Sequence, residues 1–322
     1  IEALPSVILT VVVGLILFSF FFAGKFALAD FHHRTALNAL SQNNGILAYN
    51  ELVVSEKLNP VADSYRVDLA QTNFALANAI ASAKAPTEAS PSGSLSDQDK
   101  QNIQVLLQQS ITEGRSATTL NPKSALNWEI LGLLYRQIAG VAQNALVFSL
   151  DSYGKAIFQD PLNPNLRLSV GGVYYAVKNY DLAIRFFTDA INLKPDFIDA
   201  RINLALVYAE RNMFGESVDE LNQILKIDPQ NADAYKYIGL AYYKTGLMED
   251  SIVEFKKALN ISPDDPEIHY CLENVYHSMG ALDAAEAELI KAIELDPQYK
   301  EAHVNLGFLY YEQGMFDKAM EE

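Results

Sequence analysis

Cysteine occurs once in 322 residues, at Cys271. A single thiol excludes an intramolecular disulfide and any zinc site built on several cysteines. Basic residues are also scarce: 24 Lys and Arg stand against 40 Asp and Glu, a formal charge of −16 with a pI near 4.7. A nucleic-acid binder needs a basic face to displace counterions from phosphate, and this balance argues against one. The chain also lacks a phosphate-binding glycine loop, a nucleophile elbow and a His-Glu-x-x-His pair, so the sequence offers no catalytic, cofactor or metal site. Strand-type alternation is missing too; apolar spacing is helical nearly throughout. With 50% hydrophobic and 11% aromatic residues, wholesale disorder is excluded as well.

What is present begins with a run free of charge. Between Glu2 and Lys25 lie the 22 uncharged residues Ala3 to Gly24. At a rise of about 1.5 Å per residue they span roughly 33 Å, enough for a hydrocarbon core of about 30 Å. The competing reading is a signal peptide cleaved after Ala27-Leu28-Ala29. Its apolar core would be about 7–15 residues long and follow a basic segment, and neither holds here. The expectation is a membrane helix over residues 3–24. Lys25 and Arg34 follow it with no basic residue before it, a weak lean toward a cytoplasmic C-terminal side. Residue 1 is Ile and the last residues stop within a helical pattern, so the sequence reads as a piece of a longer protein.

The rest of the chain keeps a period of 34. Prolines fall at Pro161, Pro195, Pro229, Pro263 and Pro297. Counting from Pro164, the eighth position reads Gly171, Ala205, Gly239, Glu273, Gly307, and the eleventh is Tyr174, Tyr208, Tyr242, Tyr276, Tyr310. The twentieth reads Ala183, Ser217, Ser251, Ala285, Ala319, and the twenty-seventh Ala190, Ile224, Ala258, Ala292. Small residues at these places let helices approach closely, and a tyrosine fills space while keeping its hydroxyl at a wet edge. Turn signals (Thr245-Gly246, Met279-Gly280, Gln313-Gly314) and then proline mark where helices end. Five copies in register resemble the tetratricopeptide repeat (TPR) family. The resemblance implies an all-α superhelical solenoid of antiparallel helix pairs, preceded here by one transmembrane helix. Periodicity thus overrides a length-based prior of two domains.

Upstream the period is interrupted. Trp128, Leu131, Gly132 and Tyr135 match a first helix, and Tyr153, Ala156 and Pro161 its partner, with five extra residues around Gly140–Asn144. Residues 125–163 are therefore expected to be a TPR with an insertion, and 164–322 consecutive 34-residue repeats, the last incomplete. Residues 29–124 are expected to hold degenerate TPR-like helices: one over Ala29–Leu40 continuous with the membrane helix, its partner around Ala48 and Leu52, then Asp63–Ile80 and Asn102–Thr119. The polar stretch Ala85–Ser94 reads as a flexible insertion within 84–97.

Histidines offer little chemistry. His269 and His303 share the fourth repeat position, where they are expected to replace a packing residue, and His32-His33 sit just beyond the membrane helix as interfacial rings. Cys271 reads as a small buried hydrophobe. In the TPR family the groove is lined by first-helix positions 2, 5, 6, 9, 12 and 13. Carried onto this sequence, those positions line the groove with residues that include Glu210, Tyr237, Leu240 and Lys244, and the candidate partner-binding residues are Tyr175, Asn203, Leu206, Lys236, Tyr243, Tyr270, Asn274, His277 and Tyr311. Tyrosines with a few amides suit a protein surface. Each of them can instead be ordinary packing against the next helix.

The second positions, Asn165, Asp199, Asp233, Glu267 and Glu301, make one rim mostly acidic. The expected partner is therefore a protein or extended peptide that is neutral or basic rather than acidic. The expected role is a membrane-anchored interaction scaffold with no enzyme activity in this segment. The alternative is the tail of a larger polytopic envelope enzyme. Asn127–Gly132 and Asp160–Leu166, following an apolar helix, are similar to the C-terminal tails of bacterial O-antigen polymerase/ligase-like proteins. That likeness implies a bacterial inner membrane and catalytic loops further upstream, and no catalytic residue is carried onto this chain.

Overall fold

The computed structural model of the chain describes residues 3–83 and 95–321, with side chains from Val11 onward. The expected insertion at Ala85–Ser94 and the side chains of residues 3–10 lie outside the described residues. Every element among the described residues is helical, and the chain packs as two compact units, residues 1–162 and 163–322.

The first unit holds α1 (Ala3–Ser41), α2 (Gly45–Leu58), α3 (Asp63–Ala83), α4 (Asp97–Leu120), α5 (Ala125–Gln137) and α6 (Ala145–Gln159). The α1 helix runs without a break from the apolar run into the packed part. Val11 to Phe21 are exposed or nearly so, whereas Ala29, Ala36 and Ala39 are buried. An 18-residue window of α1 reaches a mean hydropathy of 2.3 with none of it buried, so α1 is long and apolar enough to cross a membrane. Its packed half is tied down by polar bonds. His32 Nδ1 lies 2.5 Å from Glu51, His33 Nε2 lies 2.6 Å from Asp68, and Tyr65 donates its hydroxyl proton to Asp30. The α4 helix starts earlier than the apolar pattern implies. Ser96 Oγ accepts from the Asp99 amide while Asp99 accepts from the Ser96 amide, a reciprocal cap that fixes the start. The five extra residues sit in the turn at 138–144, closed by Asn144 in the left-handed region at φ 59°.

The second unit holds α7 (Pro164–Ala176), α8 (Tyr180–Leu193), α9 (Ile198–Glu210), α10 (Phe214–Ile227), α11 (Ala232–Lys244), α12 (Met248–Ile261), α13 (Pro266–Ser278), α14 (Leu282–Leu295), α15 (Lys300–Glu312) and the short α16 (Phe316–Ala319). Each odd-numbered helix pairs with the next, and each pair packs on the following one, as in a TPR solenoid. The turn inside each pair has one chemistry. Lys178, Asn212, Gly246, Gly280 and Gly314, spaced 34 apart, all have positive φ. The amide that follows each donates to the carbonyl of the eleventh-position tyrosine, as in Asn179 to Tyr174 and Leu247 to Tyr242, both at 2.9 Å. That six-to-one bond is the Schellman closure of a helix C-terminus.

Between the helices of a pair, small residues meet rings. Gly171 faces Phe187 and Gly239 faces Phe255, and both rings are fully buried. Serine at the twentieth position adds a bond across the same contact, Ser251 Oγ donating to the Gly239 carbonyl at 2.7 Å. The twenty-seventh-position residues Ala190, Ile224, Ala258 and Ala292 are all fully buried.

Candidate partner-binding groove

The first helices of the second-unit pairs (α7, α9, α11, α13 and α15) carry the residues singled out from the sequence. Polar bridges run from one of these helices to the next. Lys236 on α11 donates to Glu267 on α13 at 2.7 Å and lies 3.1 Å from Asp233. The Tyr243 and Ser278 hydroxyls share a hydrogen bond at 3.1 Å. His277 Nε2 lies 2.9 Å from Glu312, and Asn305 donates to Glu273 at 2.9 Å. Several sequence-selected residues thus spend their polar atoms holding the helices in register.

Lys236 is the clearest case. Its side chain is buried, which by itself would lower its pKa, but Glu267 and Asp233 outweigh burial and hold it above the ordinary lysine range. It stays charged and already paired. Asn203 and Asn274 donate to the carbonyls of Asp199 and Tyr270, four residues back on their own helices, both at 2.8 Å. Tyr270 packs its ring against Tyr299 with centroids 5.4 Å apart. Tyr175 is half-buried beside Tyr180, and burial next to Glu210 raises its phenol pKa. Tyr311 is exposed, with Val304 and Phe308 on the same helix.

Leu206 borders an open cleft. With Ala209, Glu210, Phe214, Tyr237, Leu240 and Lys244 it lines a cleft of about 370 Å³ between α9, the start of α10, and α11. The floor is apolar, while Glu210 and Lys244 supply one charge of each sign. A cleft this size admits a side chain or two of an extended segment. Leu206 is the one of the nine candidate binding residues that lines this cleft, but Glu210, Tyr237, Leu240 and Lys244, which the same family positions place in the groove, line it too. Phe214 was not among these positions, because it opens the second helix of its pair, where the family's groove positions do not look.

The histidines differ from a simple packing role. His269 Nδ1 lies 2.6 Å from Glu288, and Arg201, at the same fourth position, donates to Glu220 at 2.5 Å. A buried ring nitrogen needs a partner, and the twenty-third position supplies one. Glu273, alone in carrying a carboxylate at the small eighth position, has its pKa raised by burial, with the Asn305 bond and His277 opposing. Cys271 is buried, which pushes its thiol up to about 12. Among the described residues no cluster of three or more His, Cys, Asp or Glu is placed to hold a metal ion.

Two family models match the chain: one described as tetratricopeptide repeat over residues 174–238, and one as TPR repeat over 248–280 and 274–314. A curated relative, an uncharacterized protein ycf37 of Cyanophora paradoxa, is 37% identical over 57 residues. That match covers 18% of this chain and 33% of the relative, so the chain spans about a third of its length. Among solved structures, a tetratricopeptide repeat protein from Parabacteroides merdae superposes with a TM-score of 0.59. It is 14% identical, and the match covers 91% of this chain and 99% of that one, a likeness of fold. A thermophilic TPR protein in Thermus thermophilus is 20% identical over 58% of this chain and all of that one, with a TM-score of 0.48.

Proposed function

With tetratricopeptide repeats over residues 174–238 and 248–314, we propose that the chain is a membrane-anchored scaffold that holds an extended partner segment in the α9–α11 cleft. The observation that carries this reading is the cleft itself, an apolar floor on the inner positions of consecutive repeats. Charge narrows the partner. The second repeat positions are Asp199, Asp233, Glu267 and Glu301, an acidic row by sequence, and Lys236 is already engaged by Asp233 and Glu267. An acidic segment would meet like charge there, whereas a neutral or basic one with an aliphatic or aromatic anchor finds complementary potential.

Anchoring rests on α1. The Ala27-Leu28-Ala29 step lies inside an unbroken helix with Ala29 fully buried, which favours a retained span over a cleaved leader. The likeness to O-antigen enzyme tails gains nothing from this geometry. A peptide-library selection on the full chain in nanodiscs tests the partner: segments with an apolar anchor and few carboxylates should be enriched. Enrichment of Asp- and Glu-rich segments would refute the charge reading. Alkaline extraction of membranes tests the anchor, and release of the chain would refute it.

A further inference from the structure

The first unit has two ends, and they differ. The apolar half of α1 leaves from one of them. Polar bonds locate the loops at that end: Tyr65, at the start of α3, reaches Asp30, and Asn121 and Asn127, on either side of the α4–α5 turn, both donate to Asp63 at 3.0 and 2.8 Å. The end of α6 returns to the same level, where Asp160 sits close enough to help raise the Glu129 pKa, though burial is the larger cause. Three turns, at residues 59–62, 121–124 and 160–162, therefore gather around the point where α1 exits. The α5–α6 turn, with Val141, lies at the opposite end.

The gathered edge is apolar, with charges of both signs around it. Phe158 is 82% exposed, Leu162 75% and Val61 66%, and the exposed Lys57 and Lys123 belong to or adjoin the same turns in sequence, as Asp63 and Asp160 do. Among the described residues none covers these apolar side chains. The repeat register shows that this composition is local. The residue after the turn proline is Val61, Lys123 and Leu162 in the first unit, but Asp196, Gln230, Asp264 and Gln298 in the second. Three residues before the proline, Phe158 becomes Asn192, Lys226, Asn260 and Glu294. A TPR turn has no structural need for phenylalanine or leucine at these places, since the second unit forms the same turns with polar residues.

Distance names what covers them. From Gly24, where the uncharged run ends, to Asp30 is six residues of continuous helix, about 9 Å. The interfacial layer of a bilayer is roughly 5–8 Å deep on each side of the hydrocarbon, so Asp30 stands at its outer limit and side chains projecting from the turns toward the membrane reach into it. We infer that the edge formed by Val61, Lys57, Lys123, Phe158 and Leu162 docks into the lipid headgroup layer of the same bilayer that α1 crosses, seating the first unit directly on the membrane. The inference rests on the membrane reading of α1. Apolar tips enter the headgroup–acyl boundary, while the lysines and carboxylates of the same end stay in the wet outer part of that layer. An unbroken helix leaves no linker through which this edge could stand off from the surface.

The test is site-directed spin labelling of the full chain in vesicles of phosphatidylcholine and phosphatidylglycerol. Phe158→Cys, Leu162→Cys and Val141→Cys are labelled one at a time; native Cys271, buried and held protonated, stays unlabelled. Labels at 158 and 162 should collide more with lipid-soluble oxygen than with a water-soluble nickel chelate, and the label at 141 the reverse. If the chain survives alkaline washing but all three labels meet the chelate equally, the docking is wrong and the anchor stands. Labels at 158 and 162 shielded from both reagents would mean that protein covers the edge, which also overturns it. Loss of the chain on alkaline washing would remove the anchor and the docking together.

Discussion

A β-carbon built on Gly171 would lie 2.5 Å from Cε1 of Phe187. The same contact recurs with graded sizes along the repeats. Gly239 meets Phe255 at 2.9 Å, and Gly132 meets Tyr153 at 3.1 Å. Where the eighth position grows to Ala205, the residue at the phenylalanine's position shrinks to Leu221. The pair of positions conserves volume, as close-packed interiors require.

Gly171→Ala should therefore destabilise the second unit by about 1–2 kcal/mol, because overpacking against a fully buried ring outweighs alanine's helical advantage. Adding Phe187→Leu should recover part of that loss by recreating the Ala205–Leu221 combination. Gly154, inside α6 with nothing within 4 Å of its added carbon, should respond in the opposite sense. Gly154→Ala should stabilise by roughly 0.5–1 kcal/mol. Denaturant unfolding with hydrogen exchange measures all three, and equal effects at 154 and 171 would mean that the contact is not tight.

Lys178 holds φ at 57° where Gly246, Gly280 and Gly314 occupy the same turn position. A lysine there carries a strain of about 1 kcal/mol that glycine avoids. Lys178→Gly should raise the melting temperature of the second unit, and Asn212→Gly should do so less, because asparagine tolerates the left-handed region. A fall in melting temperature for Lys178→Gly would contradict the turn assignment.

Glu273 gives a pH dependence with a definite sign. Burial raises its folded pKa, so the folded state holds the proton more tightly than the unfolded chain does. Its contribution to stability is fully present below the unfolded value of about 4.3 and is lost as pH rises through the folded one. Glu273→Gln keeps an oxygen for Asn305 and removes the charge. The variant should gain stability relative to the parent as pH rises from about 4 to 7, measured by denaturant midpoints at each pH. A difference independent of pH would show that Glu273 is not held protonated by its site.

Much of this fold was legible because its signals are local and repeated. Proline, the small residues and the invariant tyrosine fix where helices end and how close they come. The left-handed turns were legible at Gly246, Gly280 and Gly314, but not at Lys178 or Asn212, where the turn geometry prevails over residue preference. The groove was less legible. A position shared by a family states which way a side chain faces, not whether its polar atom is already taken. Lys236 and His277 face the inner row, yet each is held by a carboxylate of the next helix. The cleft at Leu206 and Leu240 needs Phe214 from a second helix, a juxtaposition across a turn that periodicity does not carry.

The central claim is that the α9–α11 cleft receives the partner, and isothermal titration of one library-selected segment tests it most directly. The full chain is compared with Leu240→Glu, inside the cleft, and with Val253→Glu, exposed on α12 outside it. The cleft substitution should weaken binding at least about tenfold, a loss of roughly 1.4 kcal/mol, while Val253→Glu leaves it unchanged. Equal affinity for Leu240→Glu and the parent chain would contradict the claim.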